Sequence, residues 1–492
     1  MSVSDNKNFY ITTTLPYVNS DPHLGHAMEF VRADVIARFK EARGYRVFFN
    51  TGTDEHGAKV YRRALKEGID PQDYVDKAAE KFKGLTELLN LKKDIHFIRT
   101  SDQKHIKAAQ EFWRRCEATG DIYKKNYKTK YCIGCELEKT ESELVDGRCS
   151  LHQNLKLEVI EEENYFFKFS KYQDKLLEYY KNNTDFVIPD FRFNEIKKFV
   201  EGGLQDFSIS RLKEKMLWGV PVPGDDNHVM YVWFDALVNY ISTLGWPVST
   251  EASAGKPSDD LFQKFWVEGE TVQYAGKDNL RQQSAMWQAM LMSAGIKNTD
   301  KIVINGFITG EGGLKMSKSL GNVLDPYKIV REFGSDAFRY FVTREISSFE
   351  DSPFTPERFK EAYNANLANG LGNLTSRIMK MAETHLSKCP EIIKEDMSKG
   401  FIDAMNHFRI QEAMNIVWRQ IAELDLVIQE SEPFKLIKSD SAKAVGIIED
   451  LVVKLYGIAA ALRPILPATA EMIEGLVRAN RAPERPLFPR VE

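Results

Sequence analysis

Long apolar runs are what this chain of 492 residues has least of. The longest near the end, LVVKLYGIAAALRPIL, is broken by Lys454 and Arg463, so no stretch suits a bilayer and no membrane partner is expected. Residues 1–10, MSVSDNKNFY, are polar and lack the apolar core of an export signal. Cysteine is scarce as well: five in the whole chain, with no export signal, exclude a disulfide scaffold and predict a cytoplasmic location. Charge of one sign is also missing. The 67 Lys and Arg against 71 Asp and Glu leave a formal charge of −4, which excludes a generic nucleic-acid coat but not a local basic site. Internal repeats and low-complexity tracts are absent. What remains, 43% hydrophobic and 28% charged residues over this length, is ordinary globular protein too long for one core, so two to four domains are expected.

The β-rich FYITTTLPYV (9–18) ends at a proline and suits a buried strand running into a loop. After His26, AMEFVRADVIARFKEARG carries apolar residues at helical spacing and stops at Gly44. YRVFFNTGTDEHG then gives a second strand and a Gly-rich, acidic loop. Strand, helix, strand is the unit of a parallel sheet. The same grammar returns in TVQYAGKD and KIVINGFITG, with the apolar helical SAMWQAMLMSAG between them. Two α/β halves are thus predicted, about 9–115 and 225–310, with a stretch of different character between. From about residue 356 the chain reads as helix after helix, a separate helical bundle.

Histidine numbers only nine, yet two of them flank a Leu-Gly pair in DPHLGHAMEF, at the predicted strand-to-helix junction. With this chain's own His and Gly frequencies, H-x-G-H arises by chance in about one such sequence in a hundred, so it calls for a function. A helix N-terminus offers unpaired N–H groups, and Gly25 allows close approach to the backbone. His23 and His26 add donors, so the arrangement suits a phosphate. Almost three hundred residues later, GEGGLKMSKSLGN sets Lys315 and Lys318 on a Gly-flanked loop, a way to bring countercharge onto a triphosphate. A third cluster, CIGCELEKTESELVDGRCSLH, spaces Cys132, Cys135, Cys149 and His152 as two tight knuckles. Four such ligands are what tetrahedral Zn²⁺ requires, and a closed set predicts one structural zinc rather than a catalytic one. Cys116 and Cys389 stand alone and read as buried or inert.

Lys315-Met316-Ser317-Lys318-Ser319 paired with His23-Leu24-Gly25-His26 resembles the signature of class I aminoacyl-tRNA synthetases. TTTLPYVNSDPHLGH, TGTDEHG, YVWFDALVNYI, GKDNLRQQSAMW and GFITGEGGLKMSKSLGN resemble blocks of the methionyl branch, in that family's order, almost end to end. The resemblance implies a doubly wound, Rossmann-type α/β catalytic domain in two halves, 1–115 and 225–300, split by a zinc-bearing connective insertion, 116–224. A connector with the signature lysines, 301–355, and an α-helical anticodon-binding domain, 356–492, would follow. It implies ligation of methionine to tRNA(Met) through a methionyl-adenylate, with ATP and its Mg²⁺, by a monomer. His23, His26, Lys315 and Lys318 would be the catalytic donors, and these four with Gly25 would bind ATP. An apolar, aromatic wall suits a thioether. Leu15, Tyr17, Trp233, Ala236, Tyr240 and Trp287 would supply it, with Asp54 meeting the ammonium and Arg211 the carboxylate of L-methionine.

Two positions depart from the family pattern. Gln283, or its neighbour Gln282, stands where many members carry a pocket histidine, so the group there cannot titrate. Phe434, after Pro433, stands where many members stack an anticodon base on tryptophan, and a phenyl ring offers less area. Asn373 and Arg377 match the family's anticodon-reading pair, four residues apart on one helix face. Three rivals remain: a class I ligase for another amino acid, a small-molecule nucleotidyltransferase, and a non-catalytic RNA-binding paralogue. The first would bring an editing insertion or an open zinc site, the second would not need the helical last third, and the third would not need the signature lysines.

Overall fold

The computed structural model describes residues 7–134, 137–139, 144–150, 152–247, 260–313, 324–392 and 397–491. In chain order the elements that position the site are β1 (Asn8–Thr13), α1 (Leu24–Ala42), β2 (Arg46–Thr53), β3 (His96–Arg99), α2 (Gln103–Ala118), β4 (Ile122–Cys132), β5 (Glu158–Phe167), β6 (Val187–Ile188), β7 (Ser210–Leu212), α3 (Val232–Ala236), β8 (Glu270–Gly276) and β9 (Lys301–Asn305). The helices α4 (Ser335–Tyr340), α5 (Asn373–His385), α6 (Ile410–Ser431), α7 (Ser441–Leu462) and α8 (Pro467–Ala479) build much of the last third.

Six strands form the central sheet in the order β3-β2-β1-β8-β9-β6, all parallel. β1 is buried on both faces, as its run of apolar and β-branched residues requires. The two halves read from the sequence meet where β1 pairs with β8, Phe9 opposite Glu270 through Thr13 opposite Tyr274. The edge strand β6 comes from within 116–224, so that stretch contributes to the sheet as well as forming the antiparallel pair β4–β5. Two residues are too short to carry a period, so β6 has no signature in the sequence.

Helix α1 begins at Leu24, two residues before His26, and its helical turn ends short of Gly44, whose φ is +87°. The helix is buried nearly all round because it lies between the sheet and the chain beyond residue 335. One apolar core runs from Phe9 and Ile11 of β1 through α1 into Ile378 of α5, Ile428 of α6 and Leu455 of α7. The apolar core of the helical last third is therefore continuous with that of the α/β part.

Polar residues inside that core tie the parts together. Asp34 of α1 and Arg339 of α4 form a fully buried ion pair at 2.7 Å. Arg339 also donates to the carbonyls of Ile465 at 2.6 Å and Pro464 at 3.1 Å, between α7 and α8. Arg32, also on α1, donates to the carbonyls of Val342, Ile346, Ser347 and Ser348 and to Asn305 Oδ1 of β9. The guanidinium thereby satisfies carbonyls that a helix end leaves without partners.

Candidate active site

In an open parallel sheet, ligands bind beyond the carboxyl ends of the strands, where the connections to either side part. Such a crevice opens here beyond β1, β2, β8 and β9, a cavity of about 450 Å³. Two loops form its wall. The backbone at Tyr17, after β1, pairs with Asp54, after β2: Val18 N–H donates to Asp54 O at 3.1 Å, and Asp54 N–H to Pro16 O at 2.9 Å. Gly57 closes the second loop at φ +111°, where a Cβ would stand 2.5 Å from Tyr17 Oη. No other residue fits there without moving the tyrosine.

His23 is the N-cap of α1, its Nδ1 accepting from Gly25 N–H at 3.1 Å. His26 returns the bond, its Nδ1 accepting from His23 N–H at 3.4 Å. Imidazoles thus replace the usual Ser and Glu of a reciprocal cap. With both Nδ1 atoms accepting, the ring proton of each neutral imidazole is assigned to Nε2, which makes Nε2–H the donor. The rings stack at 3.6 Å, and both line the cavity with Gly25. Burial, and then the neighbouring His23, push the His26 pKa well below the usual imidazole range, so His26 acts as a neutral donor at neutral pH.

Leu15, Tyr17, Asp54, Trp233, Ala236, Tyr240 and Gln283 line the same cavity. Gln283 Nε2 donates to Tyr240 Oη at 2.7 Å, and it is Gln283 rather than Gln282 that reaches the wall. Trp287 lies one layer behind, fully buried, with its ring edge-on to Tyr240 at 5.9 Å. Arg211 is placed differently from the rest. On β7, its Nη1 donates to Ser208 Oγ and Ser210 O, both at 2.7 Å, and its guanidinium lies 4.2 Å from the Tyr231 ring. The side chain is thus folded back onto Ser208 and Ser210, outside the cavity lining.

Several lining residues escaped sequence reasoning. Glu29, one turn beyond His26, accepts from Thr14 N–H at 2.9 Å and Thr14 Oγ at 2.6 Å. Burial pushes its carboxyl up to about 8, more than these two bonds lower it. Its helical spacing from His26 was the available signal. Asp278 and Asn305 also line the cavity, the first from the GKD block, the second at the end of β9. Ile308 belongs to the wall too, and from there the chain runs to Gly313. Lys315 and Lys318 lie just beyond, outside the described residues.

Cys132, Cys149 and His152 gather with their ligand atoms within 4.8 Å of one another. Cys132 Sγ lies 3.8 Å from His152 Nδ1. Gly134 cradles the imidazole, since a Cβ there would stand 2.4 Å from His152 Cγ. Two buried thiols and an imidazole are a donor set that can hold a metal ion, and Cys135 lies outside the described residues. Lys59 Nζ, from the cavity wall, donates to Gly134 O at 2.9 Å and so ties this knuckle to the site.

In the last third, Arg377 and Phe434 line a second groove of about 440 Å³, with Ser376, Lys380 and Pro483. Arg377 Nη1 is ion-paired with Asp425, Phe434 is 46% exposed, and Asn373 is exposed one turn earlier on α5. Among the described residues no helix is long and apolar enough to cross a membrane.

Comparison with known proteins gives a consistent answer. The family model for tRNA synthetases class I (M) matches residues 9–149 and 134–379. The methionine–tRNA ligase of Thermotoga maritima is 39% identical over 494 residues, covering 97% of this chain and 76% of that protein. That of Brucella melitensis is 38% identical over 489 residues, covering 96% and 92%. Among solved structures, Mycobacterium tuberculosis methionyl-tRNA synthetase in complex with methionyl-adenylate superimposes with a TM-score of 0.88 at 35% identity, covering 98% of this chain and 100% of that one.

Proposed function

The chain belongs to the methionine–tRNA ligase family of class I tRNA synthetases, and from that premise we propose how its own residues divide the work. It is an aminoacyl-tRNA ligase that activates methionine with ATP and passes the methionyl group to tRNA. In the first step a methionine carboxylate oxygen attacks the α-phosphorus of ATP, and the bond to pyrophosphate breaks. In the second a hydroxyl of the tRNA 3′-terminal ribose attacks the acyl carbon, and AMP leaves. No side chain need form a covalent bond. The protein has to position two reactants and stabilise charge as it develops on phosphate.

The observation that carries this assignment is the single cavity that holds both a paired-imidazole helix start and an aromatic wall with a carboxylate. Asp54 receives the substrate ammonium. Leu15, Tyr17, Trp233, Ala236 and Tyr240 surround the thioether, with Gln283 and Trp287 bracing Tyr240. The Nε2–H groups of His23 and His26 meet the phosphates beside the N-terminus of α1, and Lys315 and Lys318 bring positive charge from the loop that follows Gly313. Arg211 is assigned to the substrate carboxylate, which requires its guanidinium to leave Ser208 and Ser210 when methionine is bound. ATP would bring Mg²⁺ with it, which would supply countercharge to the leaving pyrophosphate.

Cys132, Cys135, Cys149 and His152 would hold one zinc ion, with a structural role because the set is closed. Asn373, Arg377 and Phe434 form the surface for the anticodon of tRNA(Met). Cys116 and Cys389, which form no disulfide, support a cytoplasmic site of action, and one chain holds every group named here, which supports a monomer. The test is ATP–pyrophosphate exchange with a panel of amino acids. Methionine alone should support fast exchange, and Lys318→Ala should slow it by roughly a hundredfold or more, about 3–4 kcal/mol, with methionine affinity little changed. Unchanged exchange in that variant would remove the lysine from the mechanism.

A further inference from the structure

A buried carboxylate behind the methionine side of the cavity has no part in the chemistry above. Asp235 lies fully buried on α3, between Trp233 and Ala236, which both reach the cavity wall. His56 Nδ1 donates to its Oδ2 at 2.6 Å, and His105 Nε2 donates to its Oδ1 at 2.8 Å. His56 follows Asp54 by two residues in the loop after β2, and His105 stands near the start of α2. His105 Nδ1 is in turn 2.9 Å from Ser242 Oγ. Burial alone would raise the Asp235 pKa, but the two imidazoles outweigh it and hold the carboxyl at about 2, so it is ionised at neutral pH.

We propose that Asp235 is a positioning residue for methionine, a clamp that fixes Asp54 and Trp233 relative to one another. A bridge ties the Asp54 backbone to Tyr17 in the loop after β1, but Trp233 sits on a five-residue helix, and no strand ladder joins that helix to the Asp54 loop. The outer side of the Asp54 loop is anchored separately, by Glu55 on Arg99 Nε at 2.8 Å and by Trp218 Nε1 on Glu55 O at 2.6 Å. On the inner side, His56 links the loop to α3 through Asp235. Releasing it lets the ammonium site and the aromatic wall move apart while the ATP side, at the start of α1, stays in place. The loss should fall on methionine and not on ATP.

This clamp presupposes the methionine pocket proposed above, and the experiment separates the two. ATP–pyrophosphate exchange is measured with methionine and ATP varied in turn. His56→Leu should raise the methionine KM about tenfold and leave the ATP KM within about twofold. His56→Asn, whose amide nitrogen can occupy the place of Nδ1, should restore the methionine KM to within about threefold of the parent. Asp235→Asn carries the same expectation as His56→Leu and decides the matter if that variant does not fold. A methionine KM within twofold of the parent in both, a parallel rise for methionine and ATP, or no rescue by His56→Asn would overturn the clamp. Asp54→Asn is run beside them. An unchanged methionine KM there overturns the pocket and the clamp with it, whereas a raised value there with none in His56→Leu overturns the clamp alone.

Discussion

Glu29→Gln should flatten the pH dependence of stability, in a direction that only the burial of this carboxyl explains. Burial lifts Glu29 from 4.5 in the unfolded chain to about 8 in the fold. Between those values the folded protein keeps a proton that the unfolded chain has released. Stability is therefore greatest at low pH with respect to this group, and it falls by about 1.4 kcal/mol for each pH unit through that window. From pH 5 to pH 7.5 the loss amounts to about 3 kcal/mol, an upper bound because the side chain faces a cavity that admits water. Glutamine keeps an oxygen to accept from Thr14 and never ionises. The variant should thus be nearly as stable as the parent at pH 5 and more stable by up to about 3 kcal/mol at pH 7.5. Urea unfolding followed by tryptophan fluorescence, across that range, measures the difference directly, and other titrating groups cancel between the two proteins. Parallel stability curves would mean that Glu29 ionises as readily inside the fold as outside, and the burial argument would be wrong. Under the proposed assignment of this cavity to ATP, the same proton matters for substrate, since a neutral carboxyl does not repel the phosphates.

Asp34→Ala should cost about 3–5 kcal/mol in urea unfolding, because it leaves Arg339 buried without its countercharge, and Asp34→Ala with Arg339→Met should recover much of that. A loss below about 1 kcal/mol would show that the Pro464 and Ile465 carbonyls satisfy the guanidinium alone. Metal analysis of the purified protein should find one zinc per chain, and Cys135→Ser should lose it and destabilise the knuckle; protein with no zinc would refute the ligand set. Arg377→Ala should weaken charging of tRNA with a CAU anticodon by roughly 1–3 kcal/mol while amino-acid activation without tRNA stays normal. Phe434→Trp should preserve charging and Phe434→Ala should harm it; equal charging by all three variants would make these positions structural.

The parts legible in sequence share one property: their chemistry is compact along the chain. His23 and His26 cap one helix start, and Cys132, Cys149 and His152 close within twenty-one residues, so spacing alone announces them. The parallel strands were legible because β1, β2, β8 and β9 are buried, β-branched runs ending in loops. Arg211 was placed by position in a motif, but motif position does not fix a rotamer, and Ser208 and Ser210 supply nearer acceptors. The joined core was illegible for another reason. Helical periodicity gives the apolar faces of α5, α6 and α7 but not what they pack against.

Four further unread residues are polar groups inside apolar elements, and they obey one rule. Arg32, Asp34, His105 and Asp235 look in sequence like the solvated positions of amphipathic helices, yet each is at most 1% exposed. An ionised or hydrogen-bonding group in that setting persists only if another element completes it. The partners that join separate elements stand 130 to 316 residues away, from His105 on Asp235 to Arg32 on Ser348 O, and even Asp34, which has Arg38 beside it, also pairs with the distant Arg339. Each such residue is therefore a long-range contact whose second half the sequence does not name. Arg32 and Asp34 fasten α1 to the chain beyond residue 335, behind the ATP side of the cavity, and His105 and Asp235 fasten α2 to α3 behind the methionine side. The two imidazoles at the start of α1 and the aromatic wall on α3 are thus held from opposite sides by separate polar anchors. Damage to one anchor should appear in the kinetics of one substrate only, which a single shared apolar core could not produce.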